Sequence, residues 1–412
     1  MERFAFVICR AARRKASRAH SAHITHDEVG QRREFDNMRF SRYLTILLCI
    51  FAIVNLSSCS GQKTVDSISF TELGIPTAGR YPEGITARSP WDMAIFDNKL
   101  YIGSGDYDAN SGPVDMWFYD LDGKAWTNSG TLPEEEIDRF CYIDNRLAVP
   151  GTDPQEDWSF GNYYVLDDGE WVKYRNIPGG LHTFDIVEFD NMIFAGLGVS
   201  SGSYPIMCSA DGGKTFSSVA LQKDGENTQT SDSQKVRVYD LFVFKDSLYA
   251  AFTYGDSEIT YDLYKYENGV FTYDNQWYGK IHQIKFTNNI IAGKAEFGDN
   301  LFFTTGYLYA TEDMRNFTRI TFPDSQTVYD ICKDGKYLYA LCGNKLEDGK
   351  YNVSVYRNDG KSVTNFFEIF NFVYEVPPIS ITCKDERFFI GMGNTAATHD
   401  KNGMILFIEY SD

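Results

Sequence analysis

The sequence predicts an all-β chain closed into a seven-bladed β-propeller, and three observations carry that reading. First, a cassette of two short apolar runs around a polar turn recurs as Trp91 to Gly103, Asp138 to Val149, Phe184 to Gly196, Tyr239 to Ala251, Tyr329 to Gly343 and Ile379 to Gly391. A weaker copy runs from Ala292 to Thr304. Second, one apolar position in each second run (Leu100, Leu147, Ile193, Leu248, Leu301, Leu338, Phe388) marks seven units at gaps of 47, 46, 55, 53, 37 and 50 residues. That is the period of a propeller blade. Third, Phe70 to Pro76 copies the fourth strand of the first unit, Trp126 to Pro133. The last unit shows only three strands, ending at 404–410, so 66–74 is expected to pair there and close the ring.

The halves of each cassette are four to six residues long, rich in Ile, Val, Phe and Tyr, and broken by Asp-Asn, Lys-Asp or Asp-Gly. This is hairpin chemistry rather than helix chemistry. Each hairpin leads through a polar loop to a third strand and then to a fourth with an aromatic start: Trp126, Trp171, Phe216, Phe271, Phe317. No amphipathic helix is expected beyond the N-terminus.

Ahead of the repeats, residues 1–37 are basic, hold His20, His23 and His26, and show no apolar periodicity. They are read as an over-called start. Met38 opens a new pattern: Arg39 and Arg42, an apolar core from Leu44 to Val54, then Leu56-Ser57-Ser58-Cys59. Basic, apolar and small-residue regions in that order describe a secretory signal, and the core is short for a membrane span of about 20 residues. Leu-Ser-Ser-Cys resembles the bacterial lipobox. The resemblance implies cleavage before Cys59, diacylation of its thiol and palmitate among its lipids. Residues 38–58 are then the signal, 59–65 a tether and 66–410 the propeller. The aromatic, Asn- and Asp-rich composition resembles Bacteroidetes-type lipoproteins, which implies the outer membrane, facing the periplasm or the surface.

The chain carries 39 basic and 57 acidic residues, a net charge of −18. Removal of 1–58 takes ten basic and five acidic residues, leaving 29 against 52, or −23. Such a surface repels nucleic acid, which is excluded as a partner. Beyond the signal stand Cys141, Cys208, Cys332, Cys342 and Cys383, none at metal-ligand spacing, and they are expected as buried core thiols. Cys332 and Cys342 flank one hairpin and are the pair a disulfide would join, although hairpin partners seldom meet the geometry.

Ser209-Ala210-Asp211-Gly212-Gly213-Lys214-Thr215-Phe216 resembles the Asp-box, or BNR repeat, Ser-x-Asp-x-Gly-x-Thr-Trp, with Phe in place of Trp. Ser209, Asp211, Gly213, Thr215 and Phe216 are its structural residues, and Thr311 to Phe317 is a degenerate copy. The motif makes a tight turn: Asp caps amides, Gly takes the positive φ and the aromatic plugs between strands. The resemblance implies a sialidase-superfamily-like fold and no particular chemistry. The Arg-Ile-Pro motif of sialidases is missing, since Ile75-Pro76 and Ile177-Pro178 follow Gly74 and Asn176.

Eight residues before each anchor stand Asp92, Arg139, Asp185, Asp240, Gly293, Asp330 and Ser380, at the mouth of each innermost strand. Four aspartates in register make either an acidic funnel for a cation or sugar hydroxyls, or acceptors for neighbouring backbone. A residue repeated with the unit serves the unit, so the second is expected. Arg88, Arg139 and Arg237 make either an anion clamp or inter-blade salt bridges, and the bridges are favoured. Asp106, Asp108 and Asn110 resemble the start of a calcium loop, but Ser111 and Trp117 replace the Gly and Glu it needs. No cofactor is expected, and calcium is a weak candidate. His182, His282 and His399 have no partner at metal spacing. His182 and His399 are placed at one opening, where an acid/base role is conceivable.

The long loops between second and third strands bring Tyr107, Trp158, Phe160, Tyr254 and Tyr261 beside Asp106, Asp108, Asp153, Glu156 and Asp157. Flat aromatics beside carboxylates suit neutral sugar rings. The candidate ligand-binding set is Arg88, Trp91, Asp92, Tyr107, Arg139, Trp158, His182, Asp185, Arg237, Asp240, Asp330 and His399. The expected function is a lipid-anchored extracytoplasmic propeller that binds a carbohydrate or protein on its loop face. A glycan-active hydrolase or lyase and a non-catalytic interaction hub are the alternatives. With no repeat-breaking catalytic cluster, no catalytic residue is assigned, and binding is preferred to catalysis.

Overall fold

A computed structural model describes residues 68–81, 86–152, 154–157, 159–199, 204–223, 226–228, 236–254, 260–273, 291–393 and 399–410. All belong to the second of two units into which the chain divides, Val65–Asp412. The signal segment, Cys59, Trp158 and His282 lie outside the described residues, as do the side chains of Tyr254 and Tyr261. No described helix is long and apolar enough to cross a membrane.

The two-residue hairpin turns explain the local folding. Asp97-Asn98, Asp144-Asn145, Asp190-Asn191, Lys245-Asp246 and Asp385-Glu386 hold both central residues at φ between 45° and 60°. That conformation matches the twist of the flanking strands, and Asn and Asp tolerate it better than most residues. Each turn joins an innermost strand to its second strand, as in Met93–Phe96 with Lys99–Ile102.

The described strands form an all-β propeller arrangement. Five sheets are separate and four-stranded. The first holds Met93–Phe96, Lys99–Ile102, Val114–Asp120 and Ala125–Leu132, and the second Cys141–Ile143, Arg146–Pro150, Phe160–Asp167 and Glu170–Pro178. Two more run from Lys294–Phe297 to Phe317–Ile320 and from Thr327–Lys333 to Phe367–Tyr374. The last takes Pro378–Lys384, Arg387–Met392 and Ile405–Glu409 from the C-terminal end and Thr71–Gly74 from the N-terminal end. Thr71 stands opposite Phe407 and Glu72 opposite Leu406, so the early strand does close the sheet. Trp126 Nε1 donates to the Leu73 carbonyl at 2.8 Å and ties that strand to the first sheet.

Between the second sheet and the sheet that starts at Lys294, the sequence predicts two further separate units. The structure has one ten-stranded sheet instead. Met192–Val199 and Val236–Phe244 are eight and nine residues long. Their ends meet antiparallel, Gly198 opposite Arg237 and Val199 opposite Val236. Ala220–Lys223 adds in parallel to Val270–Tyr273 at the other edge.

Aromatic and aliphatic side chains fill the spaces between neighbouring sheets. One cluster joins Tyr339, Phe370 and Phe388, with Tyr339 and Phe388 edge to face at 4.8 Å. Another joins Tyr163 of the second sheet to Ile186, Ile193 and Phe216 of the next. Burial of a side chain of this size stabilises by about 1.5–3 kcal/mol.

Candidate functional site

The innermost strands surround a cavity of about 450 Å³ whose walls include Asp92, Arg139, Asp185, Lys294, Asp330 and Cys332. Asp92, Asp185 and Asp330 of the register series line it, and the carboxylates of the series are committed to backbone. Asp92 accepts the Met93 amide and, from the next sheet, the Phe140 amide, both at 2.7 Å. Asp185 accepts the Leu241 amide at 2.8 Å and Asp240 the Ile291 amide at 3.4 Å. Asp330 accepts Ile331 at 2.7 Å and Ile381 at 2.8 Å. Ser380 donates across to the Pro90 carbonyl at 2.6 Å. Each side chain therefore joins one innermost strand to the next. A bulge immediately before Asp185, Asp240, Asp330 and Ser380 aims it there.

The two exceptions in the series have their own reasons. At Gly293 a Cβ would lie 2.3 Å from Asp330 Oδ1, so a side chain there would displace that carboxylate. Arg139 reaches across the ring. Its guanidinium is paired with Asp185 at 2.8 Å and Asp240 at 2.9 Å and donates to the Tyr239 and Ile291 carbonyls. Against the cost of burial, these two carboxylates hold it firmly charged. Lys294 completes the group, paired with Asp185 and donating to the Leu241 carbonyl at 2.8 Å. Burial pushes Asp185 up, but Lys294 and Arg139 outweigh it and hold its carboxyl below the ordinary range. At Asp92 burial outweighs the Phe140 and Met93 amides and Arg139, and lifts it to about 6. Burial, then the nearby Asp92, raises Asp330 well above the usual value.

The three arginines do not form one clamp. Arg88 turns to the Tyr81 carbonyl at 2.9 Å, while Arg237 stands opposite Gly198, where the ten-stranded sheet is joined. Trp91 donates its indole N–H to the Gly105 carbonyl at 2.7 Å, holding the adjoining loop. His182 lies against the Thr152 carbonyl through Nδ1 at 2.5 Å. Its ring stacks on Phe184, which packs on Tyr239. His399 has other neighbours: Glu375, His399 and Asp400 bring three potential donor atoms within 4.8 Å of one another. Such exposed groupings are common without an ion, and no histidine spacing announces this one.

Beside the ring, the connection from the first to the second sheet packs a set of carboxyls that the repeat does not reveal. Glu134 is fully buried, and its Oε1 accepts Asn162 Nδ2 at 2.6 Å and the Tyr164 hydroxyl at 2.8 Å. Its Oε2 has no partner. Burial raises it to about 7. Glu136, also buried, accepts the Tyr107 amide at 3.0 Å. Burial and then Asp138 push it well above the usual value, and burial raises Asp138 itself. Tyr107 caps this group with 42 % of its surface exposed. Only the Glu-Glu-Glu run before Ile137 hinted at it.

The calcium-like loop uses its lead carboxylate internally. Asp106 accepts the Thr86 amide and hydroxyl on one oxygen and the Ala109 amide on the other. Asn110 lies in the left-handed region at φ 48°. In the other turn, Asp211 accepts amides of Lys214 and Thr215 and hydroxyls of Ser209 and Thr215, the Thr215 hydroxyl lowering its pKa most. Gly213 takes φ 83° and Phe216 is buried against Tyr163. All five described cysteines are free thiols. Cys332 and Cys342 are not linked: Cys332 stands opposite Tyr339 in the hairpin, and its neighbour is Cys383.

Fold and site together define a β-propeller with a polar, internally braced axis, a scaffold compatible with ligand binding or interaction. No family model and no curated protein matches the chain. Among solved structures, it is similar to a chain of a mitotic checkpoint complex: 10 % identity over 81 % of this chain and 94 % of that one, TM-score 0.46. It is also similar to Sqt1 from Saccharomyces cerevisiae, with 9 % identity, 84 % and 100 % coverage and TM-score 0.42. A puromycin hydrolase gives 11 % identity over 79 % of this chain and 52 % of its own, TM-score 0.48. These likenesses carry no argument about function.

Proposed function

We propose that this chain is a lipid-anchored extracytoplasmic propeller of seven blades that binds a carbohydrate on its loop face. The observation that carries the reading is the Glu136–Asp138 carboxyl group beneath exposed Tyr107. Burial favours the protonated form of these carboxyls, a form that can both donate to and accept from hydroxyls, and a flat ring beside them stacks on the apolar face of a sugar. The acidic surface disfavours polyanions. Seven blades are supported by the anchor spacing and by two four-strand runs within the ten-stranded sheet, His182–Phe189 to Ser217–Ser218 and Val236–Phe244 to Val270–Tyr273. The turns at Asp211 and Asp313 support the Asp-box resemblance, each carboxylate capping successive amides. The anchor, the signal at 38–58 and the outer-membrane address rest on the sequence around Cys59.

Thermal shift against a panel of polysaccharides, sialosides and calcium tests the reading. A ligand at 100 times its Kd stabilises by about 2.7 kcal/mol, and Tyr107→Ala or Glu136→Gln is expected to abolish the shift. No glycan shift across the panel sinks the carbohydrate reading and favours a protein partner. Labelled palmitate incorporation, lost in Cys59→Ala, tests the anchor.

A glycan-active hydrolase or lyase is the second reading. One observation favours it: Glu136, raised by burial and by Asp138, has the character of a general acid. Glycan turnover lost in Glu136→Gln with binding retained would establish it.

A further inference from the structure

We propose that Cys332 and Cys383 are a disulfide-forming pair that covalently joins the last two sheets of the propeller. Cys332 lies in the innermost strand Thr327–Lys333 and Cys383 in the innermost strand Pro378–Lys384. The strands belong to different sheets, so no ladder hydrogen bonds align them. The Asp330 carboxylate aligns them instead, by accepting the Ile381 amide at 2.8 Å. Two residues further along each strand, the two sulfurs meet at 3.3 Å. A disulfide bond is about 2.05 Å long, so small rotations of two side chains close the gap. Cys141 and Cys208 face oxygens, the Ala148 carbonyl and the Ser217 hydroxyl, and Cys342 is buried in a separate cluster.

Access is one-sided. Cys332 lines the axial cavity, whereas Cys383 is buried against Tyr339 and Phe388. Cys332 is therefore the attacking thiol. With oxidised glutathione as the oxidant, its thiolate attacks one glutathione sulfur, forming a mixed disulfide and releasing one glutathione thiolate. Cys383, deprotonated, then attacks the Cys332 sulfur and releases the second glutathione. Two protein thiols lose two protons and two electrons, and one small disulfide becomes two thiols.

The link has a mechanical consequence. The last sheet is completed only by the four-residue strand Thr71–Gly74, which comes from the other end of the described chain. A bond from its innermost strand to the preceding sheet holds the last sheet in place when that strand frays.

Peptide mapping of the full chain incubated with oxidised glutathione, then alkylated, tests the proposal. The expected result is one linked peptide pair containing Cys332 and Cys383 and a loss of two free thiols. Cys383→Ser should instead trap glutathione on Cys332, and Cys332→Ser should leave Cys383 alkylated and unlinked. The melting temperature should rise on oxidation of the native chain and stay unchanged in either variant. If both cysteines are alkylated as free thiols under conditions that oxidise a control dithiol, or if Cys332 pairs elsewhere, the proposal is wrong.

Discussion

The Asp92 carboxylate of the first sheet accepts the Phe140 amide of the second at 2.7 Å, across a boundary that no strand ladder crosses. The same relation recurs from Asp240 to Ile291 and from Asp330 to Ile381, while Asp185 reaches Leu241 within the ten-stranded sheet. The regular acidic series at the axis is therefore a set of fastenings between successive innermost strands.

Asp92→Ala is expected to cost about 1–3 kcal/mol, because the Phe140 amide loses its buried acceptor. Asp92→Asn should cost less, since one oxygen remains. Urea unfolding measures both, and glycan binding at Tyr107 should survive each.

Arg139→Met should destabilise by about 3–5 kcal/mol by leaving Asp240 buried beside an apolar side chain. Adding Asp240→Asn should restore part of the loss, since a neutral amide needs no counter-charge. The four melting temperatures of this cycle give the coupling.

Gly293→Ala places a Cβ against Asp330 Oδ1 and should cost about 1–3 kcal/mol. The penalty should shrink in an Asp330→Ala background, where the obstructing atom is gone. Additive losses would show that the two residues do not meet.

Glu134 has a folded pKa of about 7, raised from 4.5 by burial. Its raised value means the folded state holds the proton more tightly than the unfolded chain does. The stability it contributes is fully present below 4.5 and lost as pH rises through about 7. Glu134→Gln should therefore stabilise at pH 8 by about 3 kcal/mol, with the gain vanishing towards pH 4.5. Melting curves of both proteins across that range check the sign.

The repeat was legible because each unit solves the same local problem. Asp97-Asn98 and Asp385-Glu386 turn hairpins by their own backbone preferences, and Leu100 and Phe388 are buried wherever their strands pack. The early strand at Thr71 was legible for the same reason, as a copy of a fourth strand lacking its own sheet. Glu134 and Glu136 were not, because they lie between repeats, where no period marks a buried side chain. The approach of Cys332 to Cys383 was not legible either, because hairpin proximity is readable along the chain and inter-sheet proximity is not.

By itself the sequence determined the strands, their turns, the propeller class and the registered series from Asp92 to Ser380, all consequences of local conformational preference and a repeating apolar pattern. Only the tertiary structure decided what that series does. Arg139 finds Asp185 and Asp240 on two strands of the next sheet, Asp330 leaves Gly293 no room for a side chain, and two expected units merge at Gly198 and Arg237. These outcomes depend on how separate sheets are set side by side around an axis. Packing of whole faces sets that arrangement, and no short stretch of residues encodes it.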